Sequence, residues 1–224
     1  MRYAGPLQKL TVLFSRTDEE SMARVRTHGD HRDFSRLVER WEKPILNLCA
    51  RMTGDLHRAE DLKQEVFARV FEKRQDYDPA ARFSTWLWRI ALNRCYDELR
   101  QLERRREFMH SAEGGEAQKA LEQFIEDGPS PDARAAQVEE GQVVRQALME
   151  LPEIYRTVLV LRHYEGMKLA RIAEVLDVPE GTVNSRMAEA LARLTRLLEP
   201  RLHGSKELNF QPEQVTKPNL AFVL

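Results

Sequence analysis

Phe83-Ser84-Thr85-Trp86-Leu87-Trp88-Arg89-Ile90-Ala91-Leu92-Asn93-Arg94 is the stretch from which the fold is read. At helical spacing Leu87, Ile90, Ala91, Cys95, Leu99 and Leu102 line one apolar stripe, the mark of a long amphipathic helix. Trp86, Arg89, Asn93, Tyr96 and Arg100 fall on a second face that core packing does not require. Two readings fit that face. One is a half-buried helix whose tryptophans are ordinary core residues. The other is a platform for single-stranded nucleic acid, where rings stack on bases, an amide reads a base edge and cations meet phosphates. The stretch alone leaves both open.

Outward from this helix, strand signals are nearly absent: no Asn-Gly or Asp-Gly pair joins two alternating runs. The β-branched cluster Thr157-Val158-Leu159-Val160-Leu161 sits inside a helix-period pattern that begins at Leu151-Pro152. The expected class is all-α, with two small helical domains on a flexible linker. A first block, 30–106 after an N-terminal extension 1–29, holds helices over Asp33–Glu42, Pro44–Met52, Arg58–Lys73 and Ser84–Glu103. Proline is tolerated in a first helical turn, and Gly54 is placed to stop the second helix. Residues 107–132 read as the linker: Gly114-Gly115 and Gly128-Pro129-Ser130-Pro131 lie among many carboxylates. Leu121, Phe124 and Ile125 allow one short amphipathic helix there. A second helical block spans 133–202, and a polar tail, 203–224, ends in Leu220-Ala221-Phe222-Val223-Leu224.

Composition narrows the function classes. With 224 residues and a formal net charge of −1, the chain is highly charged but not a strongly basic nucleic-acid binder, so any such binding rests on local patches. No apolar run reaches the roughly 18 residues of a membrane span, and the start carries no signal-peptide cleavage pattern. A cytoplasmic protein is expected. Cys49 and Cys95 are too few for a disulfide framework or a zinc site and read as small buried residues. His28, His31, His57, His110, His163 and His203 are scattered without metal-ligand spacing, so no metal, no cofactor and no enzymatic activity are expected.

The second block carries a helix-turn-helix pattern. Leu169, Ile172, Ala173 and Leu176 form the inner face of a short helix, and Asp177-Val178-Pro179-Glu180-Gly181 makes the turn. A second helix then opens with Thr182, Asn184, Ser185 and Arg186 outward and Val183, Met187, Ala190 and Leu191 inward. A positive helix N-terminus bearing those polar groups suits phosphates and base edges in a major groove.

Together these stretches resemble a bacterial RNA polymerase sigma factor of the extracytoplasmic-function (ECF) group. Phe34-Ser35-Arg36-Leu37-Val38 with Leu46–Arg51 is similar to the start of sigma region two, and Ala59-Glu60-Asp61-Leu62-Lys63-Gln64-Glu65-Val66-Phe67 resembles its polymerase-binding helix. Phe83–Asn93 with Asp97-Glu98-Leu99-Arg100 resembles the promoter-melting segment, and Leu148–Pro152 through Pro179–Arg186 looks like region four. The connecting region three of larger sigma factors has no counterpart here.

The resemblance implies core RNA polymerase, promoter DNA and an anti-sigma factor as partners. It implies that Asp61, Gln64, Glu65 and Phe67 dock on polymerase. Phe83, Trp86, Arg89, Asn93, Arg94, Arg100, Arg104 and Arg105 would meet the minus-ten region, and Thr182, Asn184, Ser185 and Arg186 the minus-thirty-five element. The chain departs from the group after Ser185-Arg186, where Met187-Ala188-Glu189 stands in place of expected cations. Few contacts to the minus-thirty-five element are therefore expected. His57 stands where an acidic cap is usual, so Asp55 is the expected cap. Two rival readings are a sigma-like decoy that sequesters an anti-sigma factor and a conventional helix-turn-helix regulator. The first leaves Trp86, Asn93 and the Arg104–Arg106 run without a use, and the second leaves the Asp61–Phe67 face unexplained.

Overall fold

The computed structural model describes residues 16–112 and 134–203, and among these every regular element is helical. In chain order they are α1 (Asp18–His28), α2 (His31–Thr53), α3 (Leu56–Glu72), a 3-10 turn (Arg74–Asp76) and α4 (Phe83–Ala112). The second unit follows with α5 (Arg134–Glu150), α6 (Glu153–Leu159), a π turn (Val160–Tyr164), α7 (Leu169–Leu176) and α8 (Glu180–His203). The expected short helix at Leu121–Ile125, most of the linker and the apolar end Leu220–Leu224 lie outside the described residues.

α1 lies in the stretch that sequence reading left as an extension. Its start is a reciprocal cap: Glu20 N–H donates to Thr17 Oγ1 at 3.1 Å, and Thr17 N–H to Glu20 Oε2 at 2.9 Å. Gly29, at φ 61°, ends it. Only Ser21, Met22 and Val25 are buried, so the amphipathic signal was too short to read by periodicity. The signal that could have found it is the Thr-x-x-Glu spacing at Thr17 and Glu20, which the sequence reading did not use.

α2 corrects the expected break before Pro44. One helix of 23 residues runs through the proline. A mid-helix proline costs about 3 kcal/mol. Leu37, Ile45, Leu48 and Met52 are each at most 1% exposed and continue one stripe across it. Burying each contributes about 1.5–3 kcal/mol, which outweighs that cost. Asp30 caps the start by accepting from Arg32 and Asp33 N–H, and Gly54, at φ 77°, provides the expected stop. α3 is capped by Asp55, which accepts from Arg58 N–H at 3.0 Å, as expected in the absence of an acidic residue at His57.

α4 is the central helix of the first unit, packed by α1, α2 and α3 and touched by α7. It runs to Ala112, past the expected end at Glu103 and into the stretch read as linker. Trp88 and Leu92 are buried along with Leu87, Ala91 and Cys95, a wider buried face than the single stripe predicts. The cause is tertiary, because neighbours sit on more than one side of the helix. Cys49 and Cys95 are both fully buried, as expected, with sulfurs 3.8 Å apart.

The two units pack on each other. Gly54, at the end of α2, meets Met149 of α5: a Cβ added there would stand 2.8 Å from the Met149 sulfur. Gly29 has a similar φ, 61°, and nothing within 4 Å of such a Cβ. Both Gly→Ala variants therefore carry the cost of a left-handed alanine, about 1 kcal/mol. Gly54→Ala should lose measurably more than Gly29→Ala in urea unfolding, and Met149→Ala should remove the difference. Equal losses in the two single variants would mean the units do not press together at Gly54.

Candidate nucleic-acid interface

The start of α4 is fixed from outside the helix. Glu19 of α1 accepts from the Phe83 N–H at 3.1 Å, one of the amides a helix N-terminus leaves unpaired. Arg82, just before, supplies the carbonyl that Thr85 and Trp86 amides bond. Further along, Glu98 is 2% exposed and receives a two-point bond from Arg58 of α3, at 2.7 and 2.8 Å. These ties set the rotation of α4, and thereby which side chains face outward.

Around its first turn lies a group of rings. The Trp86 ring is 5.3 Å from Tyr77 and 6.3 Å from Phe83, while Trp41 stands edge-on to Phe83 at 6.4 Å and to Trp88 at 6.1 Å. Trp41 is itself held by its indole N–H to Asp18 at 3.0 Å. Trp86 is half-buried, packed against the core cluster. Phe83, expected among the DNA-facing residues, is fully buried. It supports Trp86 from the core side rather than standing at the surface, because the rings of Trp41 and Tyr77 enclose it. Tyr77 and Trp41 were not singled out from the sequence, since isolated aromatics outside a periodic stripe give no sign of which ring they back.

Asn93 is exposed on α4. Arg94 pairs with Glu65 of α3 and lies 3.6 Å from Asp97, and Arg100 is also 3.6 Å from Asp97. Arg104 and Arg105 are exposed on the following turns. Arg89 turns toward the second unit, where it bonds the end of α7. On α3, Asp61, Gln64 and Glu65 are exposed beside the buried Leu62, Val66 and Val70. Phe67 is only 7% exposed, so it belongs largely to the core of this unit.

In the second unit α7 ends at Asp177, whose φ of 56° makes the turn, and Val178 N–H bonds Ala173 O at 3.1 Å. α8 starts at Glu180, two residues earlier than expected, because Pro179 O accepts from Thr182 and Val183 N–H. Val183 and Ala190 are buried, while Asn184 and Ser185 are exposed and Thr182 and Arg186 half-exposed. Glu189 is bonded by Arg193 at 2.6 Å. Val175, on a side of α7 not counted in the inner face, is 2% exposed.

The ordered pair of a ring-backed amphipathic helix and a helix-turn-helix matches two known patterns. Residues 37–105 match Sigma-70 region 2, and residues 141–194 match Sigma-70, region 4. The ECF RNA polymerase sigma factor SigW of Bacillus subtilis is 34% identical over 76% of this chain and 91% of its own length. The chain belongs to the ECF sigma factors. The RNA polymerase sigma-H factor of Pseudomonas aeruginosa is 33% identical over 85% of this chain and 98% of its own. The solved structure of CnrH in complex with the cytosolic domain of CnrY aligns with a TM-score of 0.58 at 27% identity, covering 82% of this chain and 97% of that one. Among the described residues of this sigma factor, no helix is long and apolar enough to cross a membrane, and no three His, Cys, Asp or Glu side chains gather as a metal site.

Tyr77 beside Trp86 gives this sigma factor a pH signature. Burial, with the Glu19 charge nearby, pushes its hydroxyl up to about 12. The unfolded chain then loses that proton first as pH rises past about 10, so the contribution is present below that value and is lost between about 10 and 12. Tyr77→Phe removes the bond to Ala81 O (2.7 Å) but keeps the ring under Trp86. It should cost about 1 kcal/mol at pH 7 and flatten the loss of stability above pH 10. An unchanged alkaline slope in chemical denaturation would show that another group governs it.

Proposed function

We propose that this ECF sigma factor binds core RNA polymerase through α3, reads the minus-ten region through α4 and the minus-thirty-five element through the start of α8, and begins strand opening. The polymerase performs the chemistry. The observation that carries this reading is the arrangement on one unit of a half-open Trp86, backed by Tyr77 and Phe83, beside the exposed Asn93. Unpairing a base costs a few kcal/mol, and stacking it on an aromatic ring returns about 1–3 kcal/mol. A rigid half-exposed ring supplies that return without nucleotide hydrolysis.

Asp61, Gln64 and Glu65 are the groups proposed to meet polymerase, with Phe67 shaping the helix beneath them. Their existing partners, Arg58 for Asp61 at 3.7 Å and Arg94 for Glu65, are surface pairs that exchange at little cost. Arg94, Arg100, Arg104 and Arg105 are proposed to follow the DNA backbone, and Thr182, Asn184, Ser185 and Arg186 to enter the upstream groove. The family-like parts are read as 30–106 in the first unit, to which α1 and the end of α4 are added, and 133–202 in the second. An anti-sigma factor is the proposed regulator; CnrH, the similar structure above, was solved with the cytosolic domain of CnrY bound.

Transcription reconstituted with core polymerase tests this. Trp86→Ala should reduce permanganate reactivity of the minus-ten bases by about tenfold, more than it reduces closed-complex formation. A pre-melted bubble template should restore most of the lost transcription; no rescue would return Trp86 to the core. Asp61→Lys with Glu65→Lys should weaken polymerase binding by at least about tenfold while helical circular dichroism stays unchanged. Full affinity in that folded double variant would remove α3 from the polymerase interface.

A further inference from the structure

The reading helix α8 carries a carboxylate that is held in place. Val183 and Ala190 are buried, and Met187 and Leu194 pack beside them on the core. Ser185 and Glu189 lie four residues apart and share a face away from that stripe, with Ala188 exposed beside them. Glu189 Oε1 accepts from Arg193 Nε at 2.6 Å, and the two side chains are each 41% exposed. A pair of this kind on an open helix face is worth little. Here the Arg193 guanidinium also lies 4.7 Å over the ring of Tyr155, which belongs to α6 and packs on the core. The carboxylate is thus tied through Arg193 to a second helix.

A carboxylate among DNA phosphates is repelled unless a base offers it a donor. In the major groove guanine shows two acceptors, and thymine an acceptor and a methyl group. Both repel a carboxylate. Adenine offers its N6 amino group, but with the N7 acceptor beside it, and an ionised carboxylate has no proton to give N7. Cytosine presents the N4 amino group alone, which suits an acceptor-only side chain. The bond from Arg193 occupies one lone pair of Oε1 and leaves the carboxylate further lone pairs for such a donor. Arg193 also offsets part of the repulsion from the phosphates. A side chain already held in one position loses less freedom when it meets a base, which sharpens its choice between bases.

We propose that Glu189, held by Arg193, selects a cytosine in the minus-thirty-five element and rejects guanine and thymine at that position. This rests on the promoter-reading role of α8 proposed above. Glu189 is the group that meets the base. Arg193 is a positioning residue that acts through Glu189, and the Tyr155 ring fixes Arg193 in turn. The absence of cations after Ser185-Arg186 is then a change of specificity as well as a loss of phosphate contacts.

The test presents the full chain, assembled with core polymerase, with random duplex DNA long enough to hold both promoter elements. Bound DNA is recovered and sequenced, sequences that core polymerase alone retains are subtracted, and affinity is measured with each of the four bases at every upstream position. The unaltered protein should show one position where cytosine on one strand binds at least about tenfold tighter than guanine or thymine. Glu189→Ala should bring the four bases there within about threefold and keep the preferences elsewhere. Glu189→Gln should move the preference to adenine, whose N6 and N7 a glutamine amide meets together. Glu39→Ala removes an exposed charge from the first unit and should keep the cytosine. Arg193→Met should weaken the cytosine preference at least about threefold without moving it, a change in base ratio that a general loss of DNA affinity does not produce. A cytosine preference intact in Glu189→Ala overturns the inference, as does a Glu189-dependent preference for guanine or thymine. An intact preference in Arg193→Met overturns the holding role of Arg193. If upstream preferences that Asn184→Ala abolishes remain in the unaltered protein, these results remove the Glu189 reading alone. If no upstream preference exists at all, the promoter-reading role of α8 fails and takes this inference with it.

Discussion

The guanidinium of Arg156 holds the molecule together at its least forgiving point. It is 7% exposed, and its nitrogens donate to Leu148 O (3.0 Å), Met149 O (2.6 Å), Leu151 O (3.0 Å) and Met52 O. Met52 lies in the last turn of α2, and Leu148 and Met149 in the last turn of α5. Helix ends leave carbonyls without partners, and a buried carbonyl without a donor is costly. One planar side chain with five N–H groups satisfies the ends of two helices from different units. Burial lowers the Arg156 pKa, with Glu153 and Glu103 acting in the opposite direction. Those carbonyl dipoles let a charge remain where the solvent is nearly excluded.

Other ties across the same seam are softer. Arg51 stacks over Tyr164 at 4.4 Å and pairs with Glu165 at 3.2 Å. Glu165 sits in the last turn after the π helix, and burial raises its pKa against the pull of Arg51. Such a pair is weak support for stability, because taking both charges out of water offsets much of their attraction. The seam thus combines one deep polar anchor with apolar packing that includes Met149 against Gly54, and with ion pairs at its edge.

The first unit shows how a terminal segment sets the geometry of a site far along the chain. α1 contributes Glu19 to the amide of Phe83 and Asp18 to the indole of Trp41, while Asp33, fully buried in α2, is reached by Arg16 and Arg24 from the α1 side and by Arg36. Removing this helix would free the start of α4 and one wall of the ring group around Trp86. The family pattern begins at residue 37, so this support comes from residues outside it.

Periodicity and capping chemistry in the sequence determined the all-α class, the long α4, the stops at Gly54 and Asp177, and the helix-turn-helix. Each of these is a local matter, decided within a few residues by side-chain spacing and backbone preference. The outward set of Asn93, Arg100, Asn184 and Ser185 was legible for the same reason. The continuity of α2 through Pro44 was not, because buried neighbours decided whether the lost hydrogen bond could be tolerated. Nor was the burial of Phe83 and Phe67, since an apolar residue at the edge of a stripe turns inward only when other elements close over it. Arg89 and Arg156 were beyond sequence reading altogether. An arginine on a helix looks alike whether it meets a phosphate, water or a carbonyl from another helix, and only the packing of the two units decided which partner each one found.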